Sequence, residues 1–144
     1  MIDIENAVFN RVAETLRNEY LTDYPDLKVY GEYVEFPESF PCVSLWCTDN
    51  YSHLASRQLA SNTERYANVM FSAEVYTTGQ GRKALAKTLA NRTDELMRDM
   101  GFTRNAMMVL PNVDRNAFRI TLRYTGLVAA PVGEDNELIS LVYR

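Results

Sequence analysis

The residues most able to do chemistry in this chain are one histidine and two cysteines. The histidine, His53, lies in a polar stretch, without a cysteine, serine or acid at the spacing of a catalytic triad or a metal site. Cys42 and Cys47 lack the second cysteine pair of a zinc site and the CxxC spacing of a thioredoxin-like redox site. A strand would hold them roughly 16 Å apart, too far for a disulfide. We therefore expect a solvated histidine and two reduced thiols.

Two charged patterns resemble binding sites but do not fit them. Gly79 to Lys83 places glycines and basic side chains before a helical segment, as a phosphate-binding loop does. Because its spacing fits neither GxxxxGK[ST] nor GxGxxG, we interpret it as a flexible turn from a strand to a helix. No pattern indicates a catalytic residue, a metal or a cofactor, and we expect the protein not to be an enzyme. The helical segment that follows carries charges at spacings typical of ion pairs on a solvated face, namely Arg92, Asp94, Glu95, Arg98 and Asp99.

The composition is that of an ordinary globular domain. The chain has 144 residues, 47% of them apolar and 24% charged, which predicts a single domain over residues 1–144 with a core that needs no disulfide or metal. A net charge of −4 argues against specific nucleic-acid binding, because phosphate recognition needs concentrated Lys and Arg. The sequence contains no apolar run long enough to cross a membrane, and its start lacks the pattern of a signal peptide. We expect synthesis in the cytoplasm and no membrane association.

The elements that organise the chain lie between Glu64 and Thr125. Residues 66–76 alternate between apolar and mostly polar side chains, which predicts a strand with one buried face. Leu85, Leu89, Leu96 and Met100 then recur at helical spacing, and Gly101-Phe102 is typical of a helix C-terminus. A short apolar run and a turn at residues 111–116 precede a second alternating strand over residues 118–125. The unit is strand, helix, strand, strand.

The flanking regions complete the predicted fold. Asp3 is placed to cap a helix whose apolar positions recur every four residues from Ile4 to Tyr20. Residues 27–34 predict a short strand interrupted by glycine, residues 43–48 a better one that ends near Asp49-Asn50, and residues 138–143 a terminal strand after a loop over 128–136. We therefore predict an α+β domain, in which two helices pack on one face of a mostly antiparallel sheet of about four to six strands.

The stretch from Asp49 to Arg65 is the main candidate for a functional surface. It is rich in Ser, Asn, Thr, Arg and Gln, and its only sizeable aliphatic residues are Leu54 and Leu59. A connection of this length inside a small domain is usually functional or disordered. The sequence leaves open whether it is a long polar loop, two strand extensions forming a projecting β-arm, or a surface loop without a role.

Five short segments form a recognisable set when they are taken in their order and spacing. They are Asn62 to Ala67, Phe71 to Tyr76, Gly101 to Arg104, Leu110 to Asp114, and Phe118 to Gly126. In this order they resemble the tail terminator (tail completion, head-tail joining) proteins of long-tailed phages and prophages, and the similarity covers about residues 40 to 144. The sequence departs from the family pattern at residues 132–137, which form an insertion-like loop before the last strand.

The resemblance implies a structural virion protein of the tail-neck region. Proteins of this family cap the tail tube as a ring, commonly a hexamer, stop tail polymerisation and offer a docking surface to the head connector. The expected partners are therefore other copies of this chain, the tail tube protein and the head-tail connector protein. We expect the Asp49–Arg65 stretch to contact a neighbouring subunit or to line the lumen of the ring. The interface residues that we predict there are Asn50, Tyr51, His53, Arg57, Gln58 and Arg65.

Two alternative functions compete with the terminator hypothesis. The nearer one is another neck or connector component of the same particle. The more distant one is a small ligand-binding or enzymatic α+β domain, which would need an enclosed pocket with convergent polar groups.

Overall fold

The computed structural model describes residues 2–52, 66–111 and 116–129. Within them, two helices and five strands follow one another along the chain. Sixteen-residue α1 comes first, and eighteen-residue α2 separates the third strand from the fourth. The elements are α1 Glu5–Tyr20, β1 Lys28–Tyr30, β2 Cys42–Ser52, β3 Tyr66–Thr78, α2 Arg82–Asp99, β4 Thr103–Leu110 and β5 Ala117–Ala129.

The five strands form one mixed sheet in the order β1-β2-β3-β5-β4. The β2–β3, β3–β5 and β5–β4 pairs are antiparallel, whereas β1 runs parallel to β2. β3 and β4 lie on the two sides of β5, and both are antiparallel to it, so they run parallel to each other. α2 is the crossover that connects them. The structure thus confirms the predicted α+β class and mostly antiparallel sheet, with β1 as a parallel strand at one end.

Both helices contribute to one hydrophobic core with the sheet, α1 over β1 and β2, and α2 over β3, β5 and β4. Val69, Phe71 and Val75 in β3 and Ile120 and Leu122 in β5 are almost completely buried, as the alternation predicts. They form one core with the apolar faces of the two helices. Leu85 of α2 lies at the margin of this core and is only half-buried. The fully buried helix residues that close this core are Val8, Val12, Ala13, Leu16, Ala86, Leu89 and Met97.

The ends of α1 and α2 agree with local sequence to different degrees. At the start of α1, the N-cap position is Ile4, whose carbonyl accepts the first helical hydrogen bond from the Val8 N–H and whose side chain makes no capping bond. Asp3 lies one residue before this position, and its carboxylate accepts a hydrogen bond from the Glu5 N–H at 3.1 Å, so the predicted cap residue is wrong by one position. At the end of α2, Gly101 has a φ of 96°, and the Phe102 N–H donates to the Met97 carbonyl at 3.0 Å. This is a Schellman motif, in which glycine takes the left-handed position and the next residue makes an apolar contact. Phe102 makes that contact with β3, since its ring lies 5.3 Å from that of Phe71.

The sheet face away from the helices is also covered over β3, which the alternation does not predict. Every β3 residue from Phe71 to Thr77 is buried, including the side chains of the expected polar face. The segment over residues 31–41, between β1 and β2, covers this face. It stacks Tyr33 on Trp46, with ring centroids 5.6 Å apart, and brings the Val34 carbonyl within 3.0 Å of the Tyr76 hydroxyl. β3 is therefore buried on both faces at its centre.

Three predicted boundaries change. β1 ends at Tyr30, before the glycine, so the predicted strand over residues 27–34 is too long. β2 continues to Ser52 with an irregularity between Cys47 and Asp49, so residues 49–52 belong to the sheet. β5 continues to Ala129, beyond the predicted start of the next loop. No helix in the described ranges is long and apolar enough to cross a membrane.

Candidate subunit interface

The predicted interface residues are only partly within the described ranges. Asn50 and Tyr51 lie near the end of β2, where they pair with β3. The other four, His53, Arg57, Gln58 and Arg65, lie outside the described residues. The Asn50 side-chain amide donates to the Ile2 carbonyl at 2.6 Å, so this residue ties the N-terminal segment to the sheet. Tyr51 is 52% exposed. Of these two residues, Tyr51 is therefore the one with a side chain available to a partner.

A more extensive exposed surface lies on β4, at one end of the strand order. Six of its eight residues are exposed, including Met107 at 50% and Val109 at 53%. Met107 and Val109 project on the helix side of the sheet and Met108 on the other, as their pairing with Leu122, Ile120 and Thr121 of β5 requires. Among the described strands, none pairs with the outer side of β4, and an edge strand presents backbone N–H and C=O groups there. We call Arg104, Met107, Met108, Val109 and the adjacent Arg123 the edge patch.

The opposite edge of the sheet is protected. β1 has only three residues, and its register with β2 directs the Val29 backbone groups outward. The Arg17 guanidinium of α1 donates to the Val29 carbonyl at 3.3 Å, which occupies the central acceptor of that edge. A short strand with a covered carbonyl is a poor template for strand pairing. The two edges of the sheet therefore differ in length, exposure and available backbone groups.

A second exposed apolar surface lies on the segment that joins β1 to β2. Phe36 is 61% exposed and Tyr33 is 51% exposed. The neighbouring acids, Glu32, Glu35 and Glu38, are exposed as well. Within the described residues, none of these acids has a cationic group within salt-bridge distance. We call this surface the acidic patch, consisting of Glu32, Tyr33, Glu35, Phe36 and Glu38.

The charge of the edge patch comes from two arginines in different environments. Arg104 lies 2.9 Å from Asp94, a buried α2 carboxylate that also accepts a hydrogen bond from the Tyr124 hydroxyl at 2.9 Å. Asp94 therefore offsets the charge of Arg104, and the expectation that this acid lies on a solvated face is wrong. Arg123 is exposed, and no acid in the described ranges forms an ion pair with it. The edge patch is thus net positive.

A buried polar cluster lies between the sheet and the covering segment. The Glu74 carboxylate is 4% exposed and accepts hydrogen bonds from Tyr76 at 2.5 Å, from Thr121 at 3.2 Å and from Arg119. The Arg119 guanidinium also lies over the Tyr76 ring, 5.7 Å from its centroid. The three donors stabilise the Glu74 carboxylate in a buried position, although the alternation of β3 alone predicts that it lies on a polar face.

The chemistry of this cluster is that of a structural network. Burial raises the pKa of Tyr76, and its hydrogen bond to Glu74 raises it further, so the phenol stays neutral. Burial and the charge of Glu74 raise the pKa of the neighbouring Cys42 thiol to about 12, whereas a reactive thiol has a lowered pKa. Both cysteines are free, as expected. Tyr76 and Cys42 therefore favour their neutral forms beside the Glu74–Arg119 ion pair, and neither is an activated nucleophile.

Two open clefts add no reactive constellation. One, of about 460 Å³, is formed where α2 ends and β4 begins, and the other, of about 400 Å³, lies between the end of α1 and the start of α2. The charged residues at the first cleft come from the last turns of α2. The second is lined by two tyrosines, apolar residues and the polar residues Gln80 and Thr88, and its one charged residue is Asp23. In the described part of the chain, no group of three His, Cys, Asp or Glu residues is arranged to hold a metal ion.

Comparison with known proteins finds likeness in solved structures but not in sequence families. No family model matches the chain, and no curated protein matches it. Among solved structures, the structure of the bacteriophage SPP1 gp17 protein aligns with a TM-score of 0.40 and 13% sequence identity. The alignment covers 84% of this chain and 89% of the other. With a TM-score below 0.5, this likeness identifies neither the family nor the function of this chain.

Proposed function

We propose that this protein is a structural subunit of a phage particle that associates with copies of itself into a ring at the end of the tail tube. The ring stops polymerisation of the tube and provides the surface on which the head connector docks. The ordered segments between residues 62 and 126, which resemble tail terminator proteins, support the assignment to a tail. The net charge of −4 agrees with protein partners rather than nucleic acid.

The observation that supports self-association is the difference between the two edge strands of the sheet, β1 and β4. One end of the strand order has a protected three-residue edge, whereas the other has an eight-residue edge with exposed methionines and valine. A contact between two unlike surfaces of the same chain is heterologous, and repeated heterologous contacts give a closed ring or an open filament. A protein that ends a tube needs the closed form, and a hexamer is the ring size that the family resemblance implies.

The polar stretch after β2 is assigned a second role in the same ring. Tyr51 is exposed at the end of β2, and we propose that it and the residues that follow, His53, Arg57, Gln58 and Arg65, contact a neighbouring subunit or the lumen. Asn50 acts differently, because its amide is already bound to the N-terminal segment. We expect deletion of residues 52–61 to leave the core intact, since Leu54 and Leu59 are the only sizeable aliphatic residues that it removes, and to weaken ring formation.

The proposal is tested in a phage genome from which this gene is removed. Electron microscopy of the lysate should show tails of abnormal length that are not joined to heads, and the intact gene supplied in trans should restore normal, joined tails. Normal-length tails that fail to join heads would assign the protein to another neck component. Normal particles without the gene would contradict a role in the tail or neck.

A further inference from the structure

We propose that the ring contact joins the edge patch of one copy to the acidic patch of the next. The inference rests on the self-association proposed above and goes beyond it by naming the two surfaces. Both surfaces consist of described residues, one on β4 and β5 and the other on the connection between β1 and β2. The occupant that we assign to the exposed β4 edge is a second copy of this chain.

The two patches match in their apolar content. Met107, Met108 and Val109 form the exposed apolar part of the edge patch, with Met108 on the face that carries Arg123. Tyr33 and Phe36 form the apolar part of the acidic patch. Flexible methionine side chains adapt to aromatic rings and make favourable sulfur–aromatic contacts. Aromatic residues are also the side chains that contribute most to subunit contacts when a partner buries them. Each patch supplies what the other can bury.

The two patches are also complementary in charge. Three exposed glutamates surround the aromatic residues of the acidic patch, whereas the edge patch is net positive because Asp94 offsets only Arg104. Arg123 lies opposite Ala106 in the β4–β5 pairing, on the same face of the sheet as Met108. Placing the acidic patch of a neighbour there would pair Arg123 with a carboxylate. Opposite charges across a contact favour the correct partner and orientation.

Their positions favour a head-to-tail arrangement over a two-fold one. The edge patch lies at the β4 end of the sheet, and the acidic patch lies on the connection between the two strands at the other end. A copy bound through its acidic patch therefore still presents its own edge patch to a further copy. Pairing of β4 with β4 of a second copy would instead bring like charges together and leave the acidic patch unused.

Charge reversal tests this contact directly. Arg123→Glu reverses the edge patch, and the double change Glu32→Lys with Glu35→Lys reverses the acidic patch. Each variant alone then meets like charge at every contact, so we expect at least a tenfold weaker association, measured as mass by light scattering across a dilution series. In an equal mixture of the two variants, an alternating ring has opposite charges at every contact. We expect the mixture to recover the wild-type mass.

Matched controls separate this contact from effects on folding. Glu14→Arg reverses an exposed charge on α1, away from both patches, and should leave the mass unchanged. Thermal unfolding should show that all variants fold as the wild type does. Association that is unchanged in both charge variants would overturn the proposed contact while leaving self-association in place. A wild-type dimer that is disrupted by Arg123→Glu but not by the acidic-patch change would also overturn the proposed contact. A wild-type protein that stays monomeric would instead contradict the proposed self-association itself.

Discussion

β3 and β4 belong to the same sheet but are used in opposite ways. β3 is buried on both faces at its centre, by the helices on one side and by residues 31–41 on the other. β4 is exposed along most of its length, although it pairs with β5 through a regular antiparallel register at Met107 to Leu110. The fold thus uses the side chains of β3 on both faces, whereas it uses β4 mainly through its backbone. Substitutions in the two strands should therefore affect different properties.

The largest expected effect is on the buried carboxylate of β3. Glu74→Gln removes the negative charge and leaves the Arg119 guanidinium, 19% exposed, without its ion-pair partner. Breaking a buried pair in this way typically costs about 3–5 kcal/mol of folding free energy. Denaturant unfolding measures the change, and Glu95→Gln on an exposed face of α2 serves as the matched control. Equal stability of the two variants would show that the carboxylate is solvated.

The helix side of β3 should be nearly as sensitive. Leu89 is fully buried against the sheet, so Leu89→Ala should cost about 2–5 kcal/mol through lost burial and the cavity left behind. Lys87→Ala, on the exposed side of the same helix turn, should change stability by no more than about 0.5 kcal/mol. A loss below that value for Leu89→Ala in denaturant unfolding would mean that the apolar face of α2 is not buried.

The second face of β3 also predicts a pH dependence. The raised pKa of Cys42 keeps its thiol protonated in the folded protein, whereas the unfolded thiol ionises near its ordinary value of 9.0. Stability is therefore fully present below about pH 9 and falls as the pH rises toward about 12, by at most about 1.4 kcal/mol per pH unit for this group. Tyr76 and Tyr124, whose pKa values burial also raises, add to the loss above about pH 10.

A cysteine substitution isolates its share of this effect. In Cys42→Ala, the loss of stability between about pH 9 and pH 10 should become smaller, because the tyrosines ionise at higher pH. Cys47, whose pKa burial also raises, accounts for the loss that remains in this range. Urea unfolding midpoints at about pH 8, 9 and 10 measure the loss in both proteins. Identical slopes in the two proteins would contradict the buried position of this thiol.

The smallest effect on stability is expected at β4. Val109 is 53% exposed, so Val109→Lys should change the free energy of unfolding by no more than about 0.5 kcal/mol. The same substitution should weaken self-association, because it places a hydrated charge in the apolar part of the edge patch. Unfolding and light scattering on the same sample give both numbers. A large loss of stability would show that β4 side chains belong to the core.

Local sequence predicted the parts of the fold that depend on near neighbours. Period-two alternation defined the helix-facing sides of β3 and β5, and the Gly101-Phe102 pair defined the end of α2. The buried roles of Glu74 and Asp94 could not be predicted in this way. Their partners come from residues 45 and 30 positions away in the chain, Arg119 and Tyr124, and only the strand order brings them together.

The candidate interface was predicted less well for the same reason. The sequence directed attention to a long polar stretch, of which Tyr51 is an exposed member and Asn50 is internally bonded. The apolar run from Met107 to Leu110 is equally compatible with a buried strand, and its exposure follows from the position of β4 at the end of the sheet. Strand order is a property of the whole fold, so no local pattern marks an edge strand.

The central claim, that this chain closes into a ring, is tested most directly by the mass of the purified protein in solution. Light scattering over a wide range of concentration should give one mass, an integral multiple of 16.5 kDa that does not increase further as the protein is concentrated. A constant mass is expected because a closed ring has no free contacts for another copy. A mass that remains at 16.5 kDa, or one that grows without limit as in an open filament, would contradict the account.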